Sequence, residues 1–185
     1  MKYPSVTKIL DATMSAEKRA GLEAWRKRVG ESEANRIRDE AFVRGRKIDA
    51  DVDEWRVRGA CDDPRIAQHL TGYSFVHHEY DVRSEAHQYQ GRLDAVLSIN
   101  GRNILVDFKG SNRPKPRKYM EDYELQIGAY YGACLEMGVA IDCGCVCVFV
   151  DGEDRPTLHW IDQAKLGHRF LEFIARVEQY KTIEP

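Results

Sequence analysis

Asp94, Asp107 and Lys109 lie in one stretch, GRLDAVLSINGRNILVDFKGS, spanning residues 91–111. Apolar residues alternate on both sides of Asn100-Gly101, a dipeptide favoured in two-residue type I′ turns, so the stretch predicts a β-hairpin. With those two residues as the turn, Ile99 faces Arg102, Asp94 faces Asp107 and Arg92 faces Lys109. One side then gathers Leu93, Ala95, Leu97, Ile99, Ile104, Val106 and Phe108 and is predicted to be buried. The other carries Arg92, Asp94, Val96, Ser98, Asn103, Leu105, Asp107 and Lys109. Two carboxylates opposed across strands repel. Lys109 offsets part of that repulsion, and paired hard oxygen donors beside an open groove suit a divalent cation such as Mg²⁺ or Mn²⁺. The plainer alternative is a surface hairpin whose acids are solvated or paired with Arg92 and Lys109. The shared face and polar surroundings of the acids favour the metal.

The elements around the hairpin follow from caps and periodicity. Ser5 caps a short helix through Leu10, and Ser15 caps a second one, AEKRAGLEAWRKRV, ended by Gly30. Leu22, Trp25 and Val29 make an apolar stripe on this basic helix, with Trp25 either core or available for stacking on a base. A long helical pattern runs from Ser32 to about Val57. Gly45 inside it costs about 1 kcal/mol against alanine, which predicts a kink or a close backbone approach. Asp49 lies one turn after Gly45, with Asp51, Asp53 and Glu54 as neighbouring alternatives.

Asp62 to Leu70 reads as a short helix and Tyr73 to Val82 as a strand carrying Glu79, with His77 and His78 on opposite faces. After the hairpin comes a proline-stiffened basic loop, NRPKPRK, in which Arg113, Lys115, Arg117 and Lys118 are placed to grip a nucleic-acid backbone. Met120 to Met137 has helical period, with Gln126 and Tyr130 on one face. Gly144–Val150 and Thr157–Ile161 read as strands, and Gln163–Lys181 as a final helix. The order predicts one α/β domain with a mixed central sheet flanked by helices.

The chain has 185 residues, 43% hydrophobic and 31% charged, with a formal charge of −2. That balance describes a charge-rich globular protein able to bury a core. A nucleic-acid partner must be held by local basic patches rather than by the overall field. No targeting segment or membrane-spanning run is visible, which predicts a cytoplasmic protein with no membrane partner. Five cysteines without a secretory context predict reduced thiols. Cys143, Cys145 and Cys147 alternate on one strand as small buried residues, at a spacing wrong for zinc.

In order along the chain stand PSVTKIL (4–10), Glu79, GRLD with Asp94, DFKGS with Asp107 and Lys109, SNRPKP, and Gln126-x-x-x-Tyr130. This set resembles the PD-(D/E)xK nuclease superfamily, in the RecB-like exonuclease branch with mitochondrial genome-maintenance and phage-encoded members, over nearly the whole chain. The resemblance implies a restriction-endonuclease-like sheet behind an N-terminal helical arch or wall. Residues 1–70 would guide DNA and residues 71–185 would form the catalytic part of a single nuclease domain, 1–185. It implies a metal-dependent DNA exonuclease preferring single strands with a free end, in phage or bacterial DNA metabolism and without an organic cofactor. Asp94, Asp107 and the Phe108 carbonyl would hold Mg²⁺ or Mn²⁺. Lys109 would orient or deprotonate water, Gln126 and Tyr130 would support the site, and Ser5 and Thr7 would join the basic loop against DNA. Phosphodiester hydrolysis needs a positioned nucleophile and positive charge at the phosphate, which these residue types supply.

One position departs from that family. A histidine usual four residues after a glycine is here Asp49, after Gly45. An aspartate can still ligate Mg²⁺ or Mn²⁺ as a third acid, with Asp53 the next candidate. The competing expectation is a nucleic-acid-binding module that keeps the fold without turnover. An endonuclease is the nearer rival.

Overall fold

In the computed structural model, which describes residues 3–183 with the Lys118 side chain outside that description, five strands form one sheet in the order β1-β2-β3-β4-β5. The strands are β1 (Ser74–Ser84), β2 (Tyr89–Ile99), β3 (Arg102–Ser111), β4 (Cys143–Val150) and β5 (Thr157–Ile161). Only β3 and β4 run parallel; the other neighbours are antiparallel. The parallel pair requires a crossover, and α5 (Glu121–Glu136) supplies it. Helices α1 (Val6–Ala12), α5 and α6 (Gln163–Ile183) cover one face of the sheet, while α3 (Glu31–Arg58) and α4 (Pro64–Leu70) cover the other. The expected mixed α/β architecture is therefore present. No helix among the described residues is long and apolar enough to cross a membrane.

Asn100 and Gly101 have φ of 51° and 75°, as a type I′ turn demands, and the ladder from Ile99↔Arg102 to Ala95↔Val106 keeps the expected register. Beyond Ala95 the strands behave differently. Asp94 and Asp107 are not a ladder pair; instead Asp94 Oδ2 accepts the Phe108 N–H at 2.8 Å. Arg92 does not face Lys109. It pairs across β1 with Asp81, its Nε 2.8 Å from Oδ1. Leu93 leaves its expected face, joining the α1/α5/α6 core while Ala95 joins the α3/α4 core. Burial also reaches the side expected to be polar, since Val96 and Leu105 are covered by the first helical layer. Alternation alone cannot reveal a sheet covered on both faces, where apolar residues point both ways.

The α3 helix has 28 residues, about 42 Å at 1.5 Å per residue, yet it buries only Ala34, Ile48, Asp51 and Val52. Three of its six arginines are matched by acids one turn away: Arg36 with Glu33 and Glu40, Arg56 with Asp53, Arg58 with Glu54. The basic character of α3 is thus partly neutralised. Gly45 lies inside the unbroken α3 and makes no close approach, since a Cβ there would meet nothing within 4 Å. The close approach comes at Gly110 on β3, where a Cβ would lie 2.7 Å from Arg44 Cγ and 2.9 Å from Ile48 Cδ1. The α2 helix (Ala16–Val29) buries no residue, so Trp25 is half-exposed rather than core.

The three alternating thiols behave as expected. Cys145 and Cys147 are buried in the α3/α4 core beside Cys143, and all five cysteines are free. Ser5, Ser15 and Asp63 accept the N–H bonds that open α1, α2 and α4.

Candidate active site

The site forms where the β1–β2–β3 ladders give way. On β1, Glu79 takes a left-handed φ of 43°, unfavourable for a residue with a Cβ, and no ladder partner is formed at Glu79 or Asp94. Freed from pairing, Asp94 turns its carboxylate to the Phe108 amide and lines a cleft of ≈ 130 Å³ with Asp49, His78, Glu79 and Phe108. Asp49 reaches it from α3, so of the acids clustered in that helix, Asp49 is the one that faces Asp94. Asp51 is buried under Lys47 at 2.9 Å, and Asp53 faces His78 Nδ1 at 3.6 Å.

Asp107 is 1% exposed. Lys109 Nζ lies 2.7 Å from each of its carboxylate oxygens but donates a well-aligned bond only to Oδ1. Oδ2 is, among the described residues, a buried oxygen without a hydrogen-bond partner. Burial raises the Asp107 carboxyl above its ordinary value; Lys109 opposes the shift and Asp94 adds to it. The same pattern holds for Asp94, where burial raises the value against Lys109 and the Phe108 amide, and Glu79 adds. Asp49 is raised by desolvation and by Asp94. Burial works against the Lys109 charge, but Asp107 and Asp94 outweigh it and hold the ammonium protonated. One cation thus serves several carboxylates, and the site has an excess of buried negative charge. That excess, with an Asp107 Oδ2 that has the Lys109 charge beside it but accepts no hydrogen bond, fits a divalent cation of the oxygen-seeking kind. Among the described residues, no three His, Cys, Asp or Glu side chains are already drawn together as a metal cage.

Gln126 and Tyr130 come together as their spacing predicts, Gln126 Nε2 donating to the Tyr130 hydroxyl at 3.0 Å. Burial pushes the Tyr130 phenol up to about 12. The ring lies against Gly91, where a Cβ would sit 2.6 Å from Tyr130 Cε1. The glycine of GRLD is therefore the surface on which the tyrosine of Q-x-x-x-Y rests. Gln126 also lines a second hollow of ≈ 260 Å³ with Thr7, Tyr123 and Lys18.

Tyr123 was not singled out from sequence. Its ring stands 5.5 Å from Lys109 Nζ and 4.7 Å from Lys115 Nζ, and its hydroxyl takes a hydrogen bond from Lys115. Its position one turn before Gln126 on a helix was the available signal. Gly110 and His78 were likewise unremarked as site residues, and nothing local in sequence marks them.

The remaining expected DNA contacts are spread out. Ser5 is committed to capping α1 and lies 3.2 Å from the Thr7 hydroxyl. Lys115 leans on Tyr123, whereas Arg113 and Arg117 are exposed on the loop. The Lys118 side chain lies outside the described residues.

No family model matches the chain. It is 28% identical to mitochondrial genome maintenance exonuclease 1 of Mus musculus over 96% of this chain and 58% of that protein. It is 29% identical to the Xenopus tropicalis protein of the same name, over 96% and 57% respectively. The chain therefore spans a little over half the length of these relatives. Among solved structures, an alkaline exonuclease (LHK-Exo) from Laribacter hongkongensis aligns at a TM-score of 0.45 and 12% identity, covering 98% of this chain and 92% of that one. Along nearly all its length the chain is similar to the mitochondrial genome maintenance exonucleases, and its Asp94, Asp107, Lys109, Gln126 and Tyr130 follow the pattern of residues that resembles the PD-(D/E)xK nucleases.

Proposed function

We propose that this chain is a metal-dependent deoxyribonuclease that hydrolyses phosphodiester bonds from a free end of single-stranded DNA, in the cytoplasm of a bacterial or phage-infected cell. The observation that carries this is the meeting of Asp94, Asp107 and Lys109, from two adjacent strands, beside a cleft that Asp49 closes from α3. Asp94, Asp107, Asp49 and the Phe108 carbonyl would hold Mg²⁺ or Mn²⁺, and such an ion, when bound, offsets phosphate charge and makes water more acidic.

The chain's own residues divide the remaining work. Lys109, held between Asp107 and Asp94, would orient or deprotonate the attacking water and stabilise charge on the phosphorane. Asp107 fixes the ammonium in place. Tyr130, its proton retained, is a neutral donor held by Gln126 on the side of Asp94 and Asp107.

Residues 1–70 would guide the strand and residues 71–185 would cut it. The bare surface of α2 supports this division, because a helix with no buried residue contributes little to the core. Ser5, Thr7, Arg113, Lys115, Arg117 and Lys118 would meet the phosphates.

The test compares an end-labelled linear single strand with a covalently closed circle of the same sequence, each with Mg²⁺ or Mn²⁺. Shortening of the linear strand with the circle left intact is expected. Rapid cutting of the circle makes the protein an endonuclease, and binding of both without product makes it a DNA-binding module.

A further inference from the structure

A larger hollow opens beside the catalytic cleft. It measures ≈ 740 Å³ and is walled by Trp55, Tyr73, Phe75, His77 and Tyr80, with Arg56 at its rim. Trp55 comes from the last turn of α3, and the other rings come from β1 or the residue before it. His78 lines both this groove and the cleft that holds Asp49 and Asp94, so the two lie side by side.

We propose that this aromatic groove is a base-stacking subsite, holding nucleobases of the single strand whose phosphate lies at Asp94, Asp107 and Lys109. It rests on the DNA reading above and says where the strand runs. All five rings are partly buried: Trp55, Tyr73 and Phe75 pack by one side on the α3/α4 core and Tyr80 on the other core, and each keeps some surface in solvent. His77 and Tyr80 are stacked at 4.1 Å between centroids with planes 23° apart, so an ordered ring stack, which a base could extend at its outer face, exists before any ligand arrives. Every base has a π-face, and stacking on such platforms tolerates any sequence. The Arg56 guanidinium is steadied by Asp53 at 2.8 Å and remains 38% exposed, within reach of a base or a phosphate. The volume is that of an ordinary ligand pocket.

The other occupant to consider is a peptide strand added to β1, which is an edge of the sheet. A register shift between Phe75 and His77 and the left-handed Glu79 interrupt that edge. Bulged edges of this kind discourage strand addition. The geometry favours rings receiving rings.

The test is binding without divalent ions, so that no strand is cut. A fluorescent twelve-residue oligothymidylate is compared with an abasic strand of equal length, which has the phosphates but no bases. The wild type is expected to bind the thymidylate at least about tenfold more tightly, and to show quenching of Trp55 in a Trp25→Phe/Trp160→Phe background. His77→Ala and Trp55→Leu are each expected to weaken thymidylate binding by about 5- to 100-fold, the loss of roughly one stacked base, with abasic binding changed less than twofold. Trp55 also packs on the α3/α4 core, so melting curves accompany its variant; His77→Ala carries the comparison if Trp55→Leu unfolds. Equal affinity for the two strands, or thymidylate affinity unchanged in a folded variant, overturns the subsite. Failure of the wild type to cut single strands in Mg²⁺ or Mn²⁺ overturns the nuclease reading instead, and leaves the binding comparison to be judged separately.

Discussion

Gly91→Ala tests how the sheet supports the site. An added Cβ would stand 2.6 Å from Tyr130 Cε1 and 3.3 Å from Val6 Cγ2. Carbon atoms in contact prefer about 3.5–4.0 Å, so the ring must retreat by about 1 Å. Tyr130 is 3% exposed and has little room to do so. Overpacking of this kind costs about 1–3 kcal/mol, which for a chain of this length lowers the melting temperature by about 2–12 °C. The same movement draws the phenol away from Gln126, now 3.0 Å distant. A 1 Å misplacement near reacting groups can lower turnover by about 100-fold. Thermal unfolding reads the first effect, and single-turnover cleavage of an end-labelled strand reads the second. Both should fall together, and Tyr130→Phe alone should lose cleavage while losing less stability. A Gly91→Ala protein as stable and as active as the wild type would refute the argument that GRLD and Q-x-x-x-Y act as one packed unit.

Gly45→Ala should behave oppositely: the position is inside α3 with open space around it, so the variant gains up to about 1 kcal/mol in urea unfolding, and a loss would reveal a hidden contact. Asp63→Ala removes the α4 cap and the anchor of Arg65, costing about 1–2 kcal/mol at neutral pH by denaturant titration. The Arg65 guanidinium holds the Asp63 carboxyl below its ordinary value, so this contribution is present above the unfolded-state value of about 3.9; the stability gap between variant and wild type should close as acidification carries the folded carboxyl through its own lower value. Asp49→Ala should weaken Mn²⁺ binding in a titration followed by calorimetry and slow cleavage, and unchanged values for both would remove Asp49 from the site.

Local sequence rules recovered the hairpin because Asn100-Gly101 dictates its own turn and the apolar alternation fixes the register beside it. The same rules placed the six α-helices, the first two through their caps at Ser5 and Ser15, whereas the α4 cap Asp63 was not singled out. They failed where neighbours decide. Leu93 and Arg92 left their expected partners because the β2–β3 ladder ends at Ala95 while β2 stays paired with β1, and pairing with a third strand cannot be read from a hairpin. Val96 and Leu105 are buried because helices cover both faces of the sheet. Gly45 drew notice for its cost in a helix, yet Gly110, next to Lys109 in β3, is the glycine that α3 packs against. The acids of α3 were indistinguishable by type, and only the rotation of the helix against β3 turns Asp49 toward Asp94 and Asp51 into the core. Tyr123, Gly110 and His78 entered the site through tertiary contacts alone.

The most direct measurement is the rate at which the wild type and Asp107→Asn shorten the same end-labelled single strand, with Mn²⁺ and with chelator. The account predicts shortening by the wild type that needs the ion, and none above background for Asp107→Asn, although that variant stays folded and still binds the strand. Cleavage by Asp107→Asn at the wild-type rate, or cleavage by the wild type in chelator, would contradict it.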